Sequence, residues 1–157
     1  MLEPATPVSI IAMMILAALV AVAGWTDIRQ RRIRNWTSAA TLAAGLVAVF
    51  LTAGAVALGW AAAHFVVALV VGMALTALGV VGAGDAKFYA GLAAWLPIQA
   101  GLYLLVSVAL AGLVLLALFL VMRRGRIRKK DQAVSDFDKL PYGVAIGVGG
   151  LIAVALA

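Results

Sequence analysis

The tightest constraint on this chain is the length of its uncharged apolar runs. Trp60 to Val81 carries no charged side chain, and Val8 to about Trp25, Ser38 to about Ala53 and Gly101 to Met122 are of the same kind. A bilayer core about 30 Å thick is crossed by about 20 residues of helix. In lipid every backbone polar group must be satisfied within the protein, so only helices and closed barrels cross. The apolar runs here are continuous and do not alternate with polar residues, which selects helices. Composition agrees: 66% of the 157 residues are hydrophobic and 11% charged, against roughly 45–50% and about 25% in soluble domains. The expectation is an all-α, polytopic transmembrane helix bundle forming a single domain over residues 1–157.

The net charge of +6 lies mainly in two clusters, Arg29 to Arg34 and Arg123 to Lys130. Both abut apolar runs. That placement marks topology signals and contacts with anionic lipid, and argues against nucleic acid as a partner. The chain has no cysteine and one histidine, His64. Disulfides, cysteine zinc sites, a thiol nucleophile and a multi-histidine metal site are thereby excluded, and no metal or cofactor is expected.

About six spans are expected. The first is Val8–Trp25. Ala21-Val22-Ala23 near its end has the look of a signal-peptide cleavage site, but the segment before the run lacks Lys and Arg, so a signal-anchor with an outside N-terminus is expected. The second is Ser38–Ala53, followed by an outer turn over Gly54 to Gly59, and the third is Trp60–Val81. The fourth runs from Asp85 to Leu96, where Pro97 ends it. It is short for a full crossing, and so tilted, re-entrant or extended. The fifth is Gly101–Met122, and the last begins at Pro141 and carries small residues at Gly143 and Gly147 for close helix packing. With both termini outside, Arg29 to Arg34, Lys87 and Arg123 to Lys130 all fall on one side, the cytoplasmic side by the positive-inside pattern.

This arrangement brings two acids, Asp27 and Asp85, to the same cytoplasmic edge. An ionisable group at the margin of a bilayer is costly and needs a partner or a role. Two neighbouring carboxylates do not both ionise easily, so one can stay charged and activate water while the other keeps a proton for the scissile carbonyl. Gly82 and Gly84, in Gly82-Ala83-Gly84-Asp85-Ala86-Lys87, leave room for the backbone to bend and for a substrate strand to approach. Lys87 supplies local charge balance or faces the headgroups. Read from the residues alone, other assignments stay open. Asp27 also fits a loop cap paired with Arg29 or Arg31, and Asp85 an ion pair with Lys87. A small proton- or cation-coupled carrier or a non-catalytic secretion-system assembly factor fits the same composition. A carrier, however, expects its carboxylates near mid-membrane. His64 reads as a packed or interfacial histidine. Tyr89 shares a helix face with Asp85 and serves either the site or the aromatic belt. Asp131, Asp136 and Asp138 sit in a polar loop where solvation is the default.

Asp27 with Arg29, Arg32, Ile33 and Asn35, then Gly82 to Lys87 after an apolar run, then Pro141-Tyr142-Gly143-Val144-Ala145-Ile146, resemble the type IV prepilin peptidase family, one of the GxGD intramembrane aspartyl proteases. The likeness runs nearly end to end. It implies an aspartic endopeptidase of the bacterial inner membrane, with Asp27 and Asp85 as the catalytic pair facing the cytoplasm. The implied substrate is a prepilin, engaged through its basic leader peptide and adjoining helix. The family often has Ile-Pro-Asn where this chain has Ile33-Arg34-Asn35. Larger members carry a cysteine-bearing cytoplasmic insertion and N-methyltransferase activity. This chain has neither cysteine nor room for that insertion, and resembles the short, peptidase-only members associated with tight-adherence pili. The sequence leaves the oligomeric state open.

Overall fold

A computed structural model of the chain describes residues 6–123 and 141–157. The described residues form five α-helices and one 3-10 turn. The polar loop expected over 123–140 lies, from residue 124 onward, outside them, as do Asp131, Asp136 and Asp138.

Helix α1 spans Pro7–Gln30, with Pro7 in its first turn, and the Thr6 hydroxyl accepts from the Ser9 N–H at 3.2 Å. This is an N-cap on a proline start. The helix closes at Arg31, which adopts the left-handed conformation (φ 53°) and donates its N–H to the Asp27 carbonyl at 2.9 Å. The helix thus runs through Asp27 and Arg29, and the first basic loop shrinks to residues 31–34. Arginine and glutamine are good helix formers, and cations at a helix C-terminus meet the negative end of its dipole.

Helix α2 spans Asn35–Ala77 but is broken at Gly54, whose φ of 81° and ψ of −174° are not helical. Contacts on either side show that the chain reverses there. Helix α3 spans Ala83–Ala93. It abuts the first arm of α2 where Gly91 faces the Ser38 carbonyl and Trp95 lies over Gly45, and the second arm where Ala86 faces Gly72. The His64 ring meets the Leu96 carbonyl at 3.0 Å. A straight helix would hold residues 45 and 64 nearly 30 Å apart at 1.5 Å per residue, which these contacts forbid. The second and third expected spans are therefore two antiparallel arms. Their turn is one glycine and not the six-residue Gly54 to Gly59 segment, because a single residue at positive φ suffices to reverse the path.

The second arm stops at Ala77, short of Val81. Gly79 (φ 74°) turns the chain, and Gly82 starts α3. With 11 residues, α3 is about 16 Å long and too short to cross a bilayer. Pro97 and a 3-10 turn at Ile98–Ala100 lead into α4, Gly101–Arg123. Helix α5 spans Tyr142–Leu156. Three stretches among the described residues are long and apolar enough to cross a membrane: α1, α2 and Ile98–Met122.

The core is built around α3. Phe88 and Leu92 are fully buried against Leu16 and Val20 of α1 and Ile146 of α5. Trp95 donates its indole N–H to the Thr41 carbonyl at 2.9 Å. Helix α5 approaches its neighbours through glycines. A Cβ on Gly147 would stand 2.7 Å from Val20 Cγ1, and one on Gly149 only 2.5 Å from Val108 Cα. Small residues at helix contacts let backbones meet closely, the packing mode of membrane bundles. Outward side chains such as Met14, Leu51, Val70 and Leu113 are large, apolar and exposed. A helix surface apolar on the outside as well as the inside requires a lipid environment.

Candidate active site

Three helix ends from distant parts of the chain meet at one end of the bundle. The last turns of α1 bring Asp27, the first turn of α3 brings Asp85, and the first turn of α5 brings Gly143. Asp27 is buried. Its Oδ2 accepts the Gly143 N–H at 2.8 Å, a bond between residues 116 positions apart. The amides in the first turn of a helix have no partner within that helix, and the dipole makes that end positive. Helix α5 thus presents a ready-made carboxylate holder. Gly143 has no room for a side chain: a Cβ there would lie 2.9 Å from Asp27 Oδ2 and 2.7 Å from Ile33 Cδ1. Beside Asp27, the Thr26 hydroxyl turns inward and donates to the Ala23 carbonyl at 3.0 Å.

Asp85 is the third residue of α3 and half-buried. Its carboxylate folds back over Gly82, where a Cβ would stand 3.0 Å from Oδ2. Gly82 has φ −69°, so space rather than backbone freedom requires glycine there. At Gly84 a Cβ would make ordinary contact with Ile33, 3.6 Å away. The protein's own packing therefore does not demand glycine at 84. Asp85 stands outside the three long helices, and its carboxyl is pushed up to about 6, first by burial and then by the negative charge of Asp27. The two acids thus sense each other, as neighbouring carboxylates must. Lys87 reaches to the Asn35 side-chain oxygen at 3.4 Å, which ties the start of α3 to the start of α2. The guanidinium of Arg29 lies 4.5 Å from the centroid of Trp25, a cation–π contact at the membrane margin.

From Asp85 a cavity of about 1090 Å³ runs away from the arginine loop, between the second arm of α2, α3 and α4. Its walls are mostly apolar, including Val71, Leu75, Leu102 and Leu105, and Tyr89 borders it. The second arm of α2 and α4 do not pack closely on one another, so the cavity opens sideways between them. His64 lines its far end.

The structure places Asp27, Asp85, Gly82 and Gly84 together around Ile33, with Lys87 one turn away. It keeps His64 apart from them and leaves Tyr89 on the cavity wall. What the sequence reading did not assign to the site is Gly143, taken there as a packing residue. The available signal was Pro141 directly before an apolar helix: a proline start followed by glycine exposes backbone amides to an anion.

Two carboxylates near enough for the charge of one to raise the proton affinity of the other can share a single proton and pass it to and from a substrate. Neither the curated proteins nor the solved structures gave a match. A model of the type IV leader peptidase family matches residues 14–120, a stretch that contains both aspartates and all of α2 and α3. This chain belongs to the type IV leader peptidase family.

Proposed function

We propose that this membrane peptidase is an aspartic endopeptidase that removes the basic leader from prepilins at the cytoplasmic face of the bacterial inner membrane, with Asp27 and Asp85 as its catalytic pair. The observation that carries this reading is a half-buried Asp85 on the wall of an apolar cavity, near enough to the buried Asp27 to be raised by its charge. In this mechanism the Gly143 N–H engages one Asp27 oxygen, which favours Asp27 as the carboxylate. Asp85 holds the shared proton. Asp27 takes a proton from a water molecule while the water oxygen attacks the scissile carbonyl carbon, and Asp85 donates its proton to the carbonyl oxygen. Collapse of the tetrahedral intermediate breaks the C–N bond. The proton now on Asp27 goes to the leaving amine, and the proton on the former carbonyl oxygen returns to Asp85. No metal or cofactor enters the cycle. Gly82 and Gly84 leave the Asp85 side open to the substrate backbone, and Lys87 steadies the start of α3.

The same reading gives the topology. Six crossings over one domain, residues 1–157, the fourth made by the short α3 together with the chain through the 3-10 turn at Ile98–Ala100, with both termini outside, put the 31–34 loop, Lys87 and the basic residues from Arg123 onward in the cytoplasm. The absence of cysteine and the shortness of the first loop support a peptidase-only member without N-methyltransferase activity, of the kind associated with tight-adherence pili. The test is co-expression with a tight-adherence prepilin, following leader loss by gel shift. Asp27→Asn and Asp85→Asn each keep side-chain shape but remove ionisation, and each is expected to lower cleavage by at least about 10²–10⁴-fold. Full processing by either variant removes that aspartate from the mechanism, and processing by both removes the paired-aspartate mechanism.

A further inference from the structure

His64 is almost completely buried, at 3% exposure. Its Nδ1 meets the Leu96 carbonyl at 3.0 Å. A carbonyl can only accept, so Nδ1 carries the hydrogen, and in the neutral ring Nε2 is left with a bare lone pair. Nε2 has no hydrogen-bond partner among the described residues. Nor is it sealed off, since Ser38 Oγ is the fully enclosed polar side-chain atom left without a partner and His64 borders the cavity. Facing Nε2 is Gly101, where a Cβ would stand 3.2 Å away. A buried acceptor directed into apolar space is a costly arrangement unless something brings it a donor.

The geometry also says how far that donor lies from the reacting bond. Gly72 abuts Ala86, next to Asp85, and His64 is two helical turns further along the same arm, about 12 Å away at 1.5 Å per residue. A helix in the cavity covers that distance in about eight residues, and a chain that leaves the scissile bond extended covers it in about four. Among the described residues no arginine lines the cavity, and its walls are mostly apolar, so the substrate segment that enters it is the apolar one. Resting on the peptidase reading above, we propose that His64 is a specificity-determining residue. Its Nε2 accepts a hydrogen bond from a donor side chain, a hydroxyl, amide or protonated carboxyl, carried on the apolar helix of the substrate four to eight positions beyond the scissile bond. Gly101 is glycine so that this donor can reach the ring.

The test uses the full-length protein in phospholipid vesicles and a prepilin in which each of the ten positions after the scissile bond is set in turn to Leu and to Ser. The readout is the Ser/Leu ratio of kcat/KM at each position, which cancels any general loss of activity. Wild type is expected to prefer Ser by about tenfold at one position within the window, mainly through KM, as one hydrogen bond to a buried acceptor allows. His64→Asn keeps an amide donor for the Leu96 carbonyl but lacks the second ring nitrogen, and Gly101→Ala sets a methyl group against Nε2 while leaving the Leu96 bond intact. Both flatten the preference. If His64→Asn does not fold, Gly101→Ala decides. A wild-type enzyme with no polar preference in the window, or a preference that survives Gly101→Ala, overturns the assignment while the peptidase reading stands. Failure of wild type to cleave any of the substrates overturns the peptidase reading and this inference with it.

Discussion

Gly143 brings no reactive side chain to the site, yet it fixes the position of one that does. Its amide holds Asp27, and its missing side chain makes room for the carboxylate and for Ile33. Gly143→Ala is therefore expected to fold but to displace Asp27, lowering kcat/KM about 10²-fold, the usual cost of a misplaced catalytic group. Circular dichroism and a cleavage assay on one preparation separate these two effects. The Asp85 proton gives a second expectation. Burial and the charge of Asp27 push its carboxyl up to about 6, so the proton is held below that pH and lost above it. The reactive state needs one proton on the pair. Hence kcat/KM falls as pH rises through a midpoint at about 6 or higher, and falls again at low pH when Asp27 also becomes protonated. A pH series on vesicle-bound enzyme checks this; a kcat/KM that climbs steadily from pH 6 to 9 contradicts Asp85 as the proton donor.

At the scale of the helix, Gly54 carries the clearest local requirement. Its backbone angles of 81° and −174° fall in a region that residues with a Cβ reach only at a cost of about 1–3 kcal/mol, although open space surrounds it. Gly54→Ala should lower the thermal midpoint in detergent by several degrees, whereas Gly59→Ala, in equally open space without the unusual angles, should leave it unchanged. Equal midpoints would show that the reversal between the two arms does not depend on Gly54. The sequence reading found both arms from their apolar length but spread the turn over six residues. Apolar turns in lipid carry none of the polar residues that mark turns in water, so one glycine among several gave no signal. The third expected span likewise runs to Val81 although the second arm of α2 ends at Ala77, because Leu78, Val80 and Val81 are as apolar as the helix before them. Asp27 and Asp85 were legible for the opposite reason: charge is rare in such a chain and each instance needs explaining. Gly143 was not, since a backbone amide leaves no mark in a sequence.

For the whole molecule, the proposed sidedness is open to a direct test. Arg29, Asp27, Asp85 and the start of α5 gather at one end, and the Gly54 reversal lies toward the other. The chain contains no cysteine, so single cysteines can be placed without background. In the proposed topology Arg32→Cys reacts with an impermeant maleimide only after the membrane is opened, while Ala55→Cys reacts in intact cells. The reverse pattern would place the aspartates outside and exclude cytoplasmic cleavage. The all-helical, membrane-apolar character of the molecule was the most legible feature of all, because hydropathy is summed over many residues.

The bond between Gly143 and Asp27 ties the final helix to the first. A ribosome delivers α1 and its aspartate early and α5 last, so Asp27 must wait through the synthesis of 116 residues before its amide partner arrives. Throughout that interval the nascent chain is already in the bilayer, beside other membrane proteins with apolar helices and basic flanks, yet the pair of carboxylates is not set. In the proposed mechanism, proteolytic competence therefore waits until α5 has been made.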